Sequence, residues 1–252
     1  PHWQDRMHRV LIAPQSVQGG SVAIRDPHAL HHLRNVLRLQ KGDPLECFDG
    51  RGQAYAGVIT HCGRQRVTVA IARQRSERPP RVGMTLAQAL IRPEQFEWVV
   101  QKATELGVTR MVPMVTLRST VRLRSESSSG GQRFTRWQRI MEAAATQCGR
   151  ATLPVLERPT PFEDVLETLA TQYALLLTLT EESPPLEHYL QELRDVREVT
   201  AMIGPEGDFS PDEVALAKRH GVRTARLGRM TLRSETAAIA TLAIVQHALG
   251  TL

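Results

Sequence analysis

Two short segments of this 252-residue chain combine glycines with charged side chains in patterns that favour ligand binding. Residues 202–213 have the sequence Met-Ile-Gly-Pro-Glu-Gly-Asp-Phe-Ser-Pro-Asp-Glu. Gly204 and Gly207 let the backbone approach a ligand closely, because glycine carries no Cβ. Glu206 and Asp208 would repel a phosphate, and the segment matches neither common glycine-rich phosphate-binding pattern. The segment therefore favours a ligand with an adenine and a cationic centre; the alternative is a tight turn that binds nothing.

The second segment, residues 227–237, has the sequence Leu-Gly-Arg-Met-Thr-Leu-Arg-Ser-Glu-Thr-Ala. It places Arg233 and Glu235 two residues apart at the start of a predicted helix, whose body over 237–245 is apolar. Two interpretations stay open. Either the two charged side chains belong to a functional site, or they only pair with each other or cap the helix.

Each segment follows a predicted strand and precedes a predicted helix, where ligands bind in parallel sheets. Ser210 and Glu213 form a capping box with Pro211 at the first helical position, so a helix begins there. From Met84 onwards strands and helices alternate, which predicts an α/β domain with a parallel sheet covered by helices. The predicted strands are 85–90, 110–115, 173–179, 199–203 and 224–227, and the predicted helices are 93–106, 134–148, 162–170, 211–220 and 234–249.

The first third of the chain has a different pattern and carries the whole excess of positive charge. Residues 9–72 alternate short strands with turns around one helix, 27–39, which predicts a small β-rich domain. Residues 1–78 hold 12 Lys+Arg and 6 Asp+Glu, whereas residues 79–252 hold 20 of each. A basic module beside a neutral body indicates a polyanion-binding part; the alternative is an ordinary solvated surface.

A second basic stretch lies in residues 110–150, which carry eight arginines and only two acidic residues. It adjoins residues 125–131, Ser-Glu-Ser-Ser-Ser-Gly-Gly, whose composition predicts a flexible loop. This stretch is either a nucleic-acid face of the second domain or a solvated helix face.

The composition also excludes several classes of protein. No run of about 18 apolar residues occurs, so no membrane span is expected. The three cysteines are isolated, so neither a disulfide framework nor a cysteine zinc site is indicated. The N-terminus lacks an apolar signal core, and we expect a soluble, cytoplasmic protein without a metal site.

Together the two segments resemble the 16S ribosomal RNA uracil-N3-methyltransferases, the family named for uridine 1498 within the SPOUT superfamily. The family pattern is a Gly-Pro-Glu-Gly-Gly-Phe loop, then Leu-Gly, and then Leu-Arg-x-Glu-Thr. The corresponding residues here are Gly204-Pro205-Glu206-Gly207 with Phe209, Leu227-Gly228, and Leu232-Arg233-Ser234-Glu235-Thr236. Further similar segments are Gln101 to Val108, Gln147-Cys148-Gly149-Arg150, His31-His32 with Val36-Leu37-Arg38, and Phe48-Asp49-Gly50.

Three residues depart from this family pattern. Asp208 stands where glycine is usual, Thr146 replaces the usual glutamate before Gln147, and Met230 stands where arginine is common. The departures concern details of the predicted pocket.

The resemblance implies a PUA-like, small β-barrel RNA-binding domain over residues 1–75 and a trefoil-knotted α/β SPOUT domain over residues 76–252. It also implies a homodimer that acts on 16S ribosomal RNA of the 30S subunit. S-adenosyl-L-methionine would lie across three loops. The implied cofactor residues are Leu177, Thr178, Ile203, Gly204, Pro205, Glu206, Gly207, Leu227, Gly228, Met230, Thr231, Leu232 and Thr236. The implied RNA-binding residues are Arg9, His31, Arg34, Arg38, Arg118, Arg122 and Arg150.

The chemistry that the resemblance implies assigns roles to a few side chains. Uracil N3 is a poor nucleophile until its proton leaves, so a base or an anion-stabilising cation is needed. We expect Arg233 to stabilise the uracil anion. Either Glu235 or Glu206 would orient Arg233 or accept the proton, and the identity of the base stays open. Alternatives are a knotted methyltransferase acting on ribose or guanine, and a non-catalytic RNA-binding or ribosome-assembly factor.

Overall fold

The computed structural model describes residues 7–119, 128–168 and 173–251, which form two compact units. Unit 1 comprises the chain up to Pro79 together with Ala145–Leu153, and unit 2 comprises Pro80–Ala144 and Pro154–Leu252. The predicted boundary put all of residues 76–252 into the second domain, whereas the contacts assign the short segment after residue 144 to unit 1.

Unit 1 is a six-stranded sheet with the strand order β1-β4-β5-β6-β3-β2. β1 pairs with β4 in parallel, and all other pairs are antiparallel. Val67 and Val69 alternate with exposed or half-buried neighbours and are fully buried beside Leu45 and Ile59, as the period-2 pattern predicts. The strands are β1 His8–Leu11, β2 Val17–Gln18, β3 Ser21–Ile24, β4 Pro44–Phe48, β5 Gln53–Cys62 and β6 Val67–Ser76.

The predicted helix 27–39 is two short pieces in the structure. Helix α1, Pro27–His31, begins where the side chain of Asp26 accepts a hydrogen bond from the backbone N of Ala29. A π-turn over His32–Val36 follows, and the chain leaves it through Arg38, which has a φ of 55°. Apolar spacing alone does not distinguish an α-helical turn from a π-turn, so this change is not visible in the sequence.

The segment Ala145–Leu153 completes a second small core of unit 1. Ala145 and Ala151 are fully buried against Phe48 and Ala54. The carboxylate of Glu77 accepts hydrogen bonds from the backbone N of Ala151 and, at 2.9 Å, from that of Thr152. These contacts explain why the segment belongs to unit 1, although nothing in its local sequence indicates a long-range partner.

Arg9, which was predicted to bind RNA, has structural partners within unit 1. Its Nε donates to Glu46 at 2.6 Å, and its Nη1 donates to the backbone carbonyls of Ala145 and Thr146. The guanidinium lies 4.6 Å from the ring centroid of Phe48, and the side chain is only 12% exposed. Its Nη2 also donates to the carbonyl of Arg150 at 3.2 Å, so unit 1 engages most of the donors of this guanidinium.

Arg150 also binds a backbone carbonyl of unit 1. Its Nε donates to the carbonyl of Thr152 at 2.5 Å. Burial lowers the pKa of its guanidinium. Since a half-buried charged group needs compensating partners, this bond helps to hold the chain at residues 150–152. A role of Arg150 in RNA binding stays a prediction.

Glu46 is the acidic partner in this cluster and predicts a pH-dependent contribution to stability. Burial by itself raises the pKa of Glu46, but hydrogen bonds from Arg75 and Arg9 outweigh it and the net pKa is lowered. Because the pKa of Glu46 is lower in the folded than in the unfolded chain, its carboxylate stabilises the protein at pH values above the unfolded pKa of about 4.3. This contribution to stability is lost as the pH falls through the folded pKa. Glu46→Gln should cost about 1–3 kcal/mol in the free energy of unfolding at neutral pH.

Urea unfolding of wild type and Glu46→Gln at neutral pH and near pH 3 checks this. The difference should shrink as the pH falls below the unfolded value of about 4.3, because the carboxylate of the unfolded chain then takes up a proton before that of the folded protein does. Glu105→Gln is the control, since its pair with Lys102 is a partly exposed contact within one helix, worth about 0.5 kcal/mol or less. An equal loss for Glu46→Gln at both pH values would contradict the account.

Unit 2 is the predicted α/β domain with a parallel sheet. Its strand order is β10-β8-β7-β12-β11-β13, with β9 beside β8, and every pair is parallel. The strands are β7 Gly83–Ala89, β8 Arg110–Val115, β9 Val155–Leu156, β10 Thr160–Pro161, β11 Tyr173–Leu177, β12 Glu198–Ile203 and β13 Arg223–Ala225. The helices are α2 Pro93–Glu105, α3 Ser128–Cys148, α4 Phe162–Thr168, α5 Pro211–Arg219 and α6 Ser234–Ala248. The last four residues of α3 belong to unit 1.

Helix α3 begins earlier than its apolar pattern predicts. Residues 128–131, which the composition placed in a flexible loop, are helical, and residues 125–127 lie outside the described part of the chain. Trp137 on α3 is buried and lies 4.5 Å from the ring of Phe96 on α2, so packing further along α3 anchors the helix. Among the described helices, none has the length and apolar character that crossing a membrane requires.

Candidate functional site

Three parallel strands of unit 2, β11, β12 and β13, end at one edge of the sheet, and the loops that follow them surround a cavity of about 650 Å³. This is the edge at which a parallel sheet presents ligand sites. The β11 loop contributes Leu177, Thr178, Leu179 and Glu181; the β12 loop contributes Ile203, Gly204, Pro205, Glu206 and Asp208; residues 226–232, Ser234 and Ala237 complete the wall.

The cavity wall contains every predicted cofactor residue except Gly207 and Thr236. The carbonyl of Gly207 instead accepts a hydrogen bond from Arg118 Nη1 at 2.7 Å, and an added Cβ would meet the Arg118 side chain at 3.4 Å. Seven other wall residues were not named as cofactor residues, although Leu179 and Arg229 lie within the loops predicted to hold the cofactor. The seven are Leu179, Glu181, Asp208, Arg226, Arg229, Ser234 and Ala237. Most of them directly adjoin selected residues, so treating each loop as a continuous wall would have found them.

Gly204 is required by close packing rather than by an unusual backbone angle. A Cβ at this position would lie 3.1 Å and 3.2 Å from two carbons of the Phe209 ring. That ring is buried and packs against Phe162 with a centroid distance of 5.6 Å. The glycine therefore lets the β12 loop fold back tightly onto the core of unit 2.

A buried polar network fixes the carbonyl of Gly204. Ser234 Oγ donates to this carbonyl at 2.5 Å and accepts a hydrogen bond from Gln88 Nε2 at 2.9 Å. Gln88 lies in β7 and Ser234 opens helix α6, so the network joins three elements beneath the cavity. Such a network restricts the β12 loop to one conformation.

The predicted capping box at the start of α5 is present. Ser210 Oγ accepts from the backbone N of Glu213 at 3.2 Å, and Glu213 Oε2 accepts from the backbone N of Ser210 at 2.8 Å. Glu213 Oε1 also accepts from the backbone N of Leu117 at 2.8 Å. The capping glutamate therefore ties the loop after β8 to the end of the β12 loop.

The predicted catalytic pair flanks the cavity rather than lining it. Arg233 is the N-cap residue of α6 and its side chain is exposed. Within residues 7–119, 128–168 and 173–251, the guanidinium of Arg233 has no hydrogen bond or ion pair, so it does not pair with Glu235 there. Glu235 is half-buried, and its Oε2 atom is buried without a partner in the same described ranges. Ser234, between the two, belongs to the wall.

The remaining predicted RNA-binding residues lie in different surroundings. His31 and Arg38 are exposed and Arg34 is half-buried, all on or just after α1 in unit 1. Arg118 in unit 2 donates to the carbonyl of Gly207, so its predicted RNA contact would be made beside the β12 loop. Arg122 lies outside the described residues.

Comparison with family models covers both units. A model described as an RNA methyltransferase domain matches residues 77–246, and one described as an RNA methyltransferase PUA domain matches residues 24–72. Among curated relatives, ribosomal RNA small subunit methyltransferase E of a Synechocystis strain is 32% identical, covering 94% of this chain and 76% of the relative. The protein of the same name from Rickettsia conorii is 27% identical, covering 96% of each.

Two solved structures are similar over nearly their whole length. A Legionella pneumophila methyltransferase in complex with S-adenosylmethionine is 30% identical with a TM-score of 0.87, covering 96% of this chain and 98% of that one. Ribosomal RNA small subunit methyltransferase E from Neisseria gonorrhoeae, bound to S-adenosylmethionine, is 26% identical with a TM-score of 0.83 and the same coverage.

Proposed function

This chain belongs to the ribosomal RNA small subunit methyltransferase E family, and we propose that it methylates N3 of one uridine in 16S ribosomal RNA with S-adenosyl-L-methionine. The observation that carries this is the cavity at the carboxyl ends of β11, β12 and β13, formed by the same segments that carry the family pattern. The family matches confirm the resemblance seen in the sequence.

The residues around the cavity fit the cofactor. The volume of about 650 Å³ lies within the usual range for small-molecule sites. An added Cβ at Gly228 would meet no heavy atom within 4 Å, so the wall is open at that glycine. The loops 177–179, 203–206 and 226–232 would hold the cofactor, and three acidic residues of the whole wall, Glu181, Glu206 and Asp208, complement a cationic ligand. When bound, S-adenosylmethionine supplies an electrophilic methyl group on a positively charged sulfur.

The chain's own residues must then prepare the uracil. As N3 loses its proton, negative charge develops on O2 and O4, and the guanidinium of Arg233 would stabilise that charge. Its side chain is free of partners within the described residues, so it can turn toward a substrate. Glu235 and Glu206 are the two candidates to accept the proton or orient the arginine, since one flanks the cavity and the other lines it.

We also propose that two copies of the chain form the working enzyme, with a trefoil knot in each SPOUT domain. The side chains of Leu179 and Met230 line the cavity yet are 53% and 80% exposed, which supports a second copy covering them. The sequence order of the strands supports the knot, because β12 lies between β7 and β11. Light scattering of the purified protein measures its molar mass in solution, which should be twice that of one chain. We propose a cytoplasmic location, because ribosomal RNA is the proposed substrate.

The cofactor site can be tested by filling it. Gly228→Val adds bulk at the open part of the wall without a steric clash, and the glycine has no positive φ to lose. The variant should fold and should lose about 10² in affinity for S-adenosylmethionine, which is ~2.7 kcal/mol. Calorimetry measures this loss.

Gly131→Val is the matched control, because its added side chain also enters open space but lies on α3, away from the wall. It should bind the cofactor like the wild type. A folded Gly228→Val variant with unchanged affinity would exclude this cavity. A wild-type protein that does not bind S-adenosylmethionine at all would favour the non-catalytic RNA-binding alternative.

A further inference from the structure

Asp208 adopts a backbone conformation that residues other than glycine rarely adopt. Its φ is 59°, in the left-handed region, where aspartate and asparagine are tolerated better than most side chains. Glycine would occupy this position without strain. A strained residue in the wall of a ligand cavity suggests that its side chain has a function.

The carboxylate of Asp208 holds two loops of the cavity together. Its Oδ2 accepts a hydrogen bond from Thr178 Oγ1 at 2.9 Å and another from the backbone N of Leu179 at 3.0 Å. Its Oδ1 accepts from the backbone N of Phe209 at 2.8 Å. Thr178 follows β11 and Asp208 follows β12, so one side chain joins two walls. A glycine could make none of these three bonds.

The same group places a fixed negative charge beside the ligand. S-adenosylmethionine carries a sulfonium, an ammonium and a carboxylate, so its net charge is positive, whereas the demethylated product has lost the sulfonium charge and is neutral. A carboxylate in the wall attracts the cation more than the neutral product. Glu181 and Glu206 also line the wall, but of its acidic residues only Asp208 is bonded to two loops within the described ranges.

We propose that Asp208 is a specificity-determining residue of the cofactor site. It clasps the β11 and β12 loops and thereby fixes a charge that favours S-adenosylmethionine over S-adenosylhomocysteine, which promotes release of the product. This inference rests on the proposed function and concerns the same cavity.

Two substitutions separate the charge from the clasp. Asp208→Asn removes the charge, tolerates the left-handed backbone and keeps an oxygen that can accept from Thr178 and Leu179. Asp208→Gly removes both charge and clasp while relieving the backbone. Calorimetry with three probes measures the result: S-adenosylmethionine, S-adenosylhomocysteine, and sinefungin, which carries an amine in place of the methylated sulfur.

The asparagine variant should lose about tenfold in affinity for the two cationic probes and less than about twofold for S-adenosylhomocysteine. The glycine variant should bind all three probes more weakly, because the loops are no longer joined. Glu182→Gln is the matched control, since it removes a carboxylate of the β11 loop that does not line the cavity. It should leave all three affinities unchanged.

Several results would overturn the proposal. The charge of Asp208 has no specific role if Asp208→Asn loses the same affinity for charged and neutral probes. The same holds if Glu182→Gln shows the selective loss of affinity expected for Asp208→Asn. Unchanged affinities in Asp208→Gly would show that joining the two loops does not contribute to binding. In each of these cases the wild type still binds S-adenosylmethionine, so the proposed function stands. A wild type that binds none of the probes contradicts both.

Discussion

Replacing Arg233 with alanine should lower the rate of methyl transfer by about 10²–10³, the loss typical of one anion-stabilising donor. The effect should fall on the chemical step, because charge on the uracil develops only as N3 loses its proton. Affinities for S-adenosylmethionine and RNA should change little. Arg233→Lys keeps the charge but loses the planar fork, so it should restore part of the rate. Single-turnover rates at several pH values measure both variants.

The structure separates this role from a purely structural one. The guanidinium of Arg233 is exposed, it makes no side-chain cap of α6, and it has no ion pair within the described residues. Removing it should therefore leave the melting temperature unchanged. Arg197→Ala is the control, because this exposed arginine lies just before β12, at the sheet edge opposite the cavity. If Arg233→Ala proves stable and transfers methyl groups at a near-normal rate, Arg233 has no part in the chemistry.

RNA affinity should depend steeply on salt. If the basic excess of the first third neutralises about six phosphates, binding should weaken by about 10³ between 50 and 200 mM salt. Replacing Arg34 and Arg38 together with glutamine removes two of these contacts and should reduce the fall to about 10². Filter binding to a 16S ribosomal RNA fragment across this salt range measures the slope.

Substitutions test this better than removing residues 1–78. Such a truncation would strip Phe48 from Ala145 and Glu77 from Ala151, so it would also disturb the segment after α3. The control is the double variant Lys218→Gln/Arg219→Gln, which loses the same charge at two exposed positions of α5. A salt slope that survives in Arg34→Gln/Arg38→Gln would assign RNA binding to the 110–150 stretch.

Much of unit 2 follows from local sequence signals. The predicted strand 110–115 matches β8, and the predicted helix 93–106 differs from α2 by one residue at its end. Helix α2 has a clear apolar period between Pro93 and Gly107, and β8 is a short apolar run, so both are visible in the sequence. Helix α3 begins before its predicted start because its first residues are serine and glycine, which do not signal a helix.

Long-range partners explain what the sequence did not reveal. Arg9 and Arg150 are of the residue type that binds RNA, yet in unit 1 both donate hydrogen bonds to backbone carbonyls. Only the folded chain brings residues 145–153 next to β4 and β5. The two loop segments were found because their glycines and charges lie close together in sequence. The hydrogen bonds by which Asp208 joins the two loops were not predicted, because Thr178 lies 30 residues away in sequence.

The identity of the methylated atom tests the central claim most directly. Purified protein would be incubated with isotope-labelled S-adenosylmethionine and with either 30S subunits or naked 16S ribosomal RNA from a strain that lacks its own copy of this enzyme. Nucleoside mass spectrometry and mapping of the labelled position then identify the product. The account predicts label in 3-methyluridine at a single site. Label in a ribose or a guanine, or no transfer to either RNA, would contradict it.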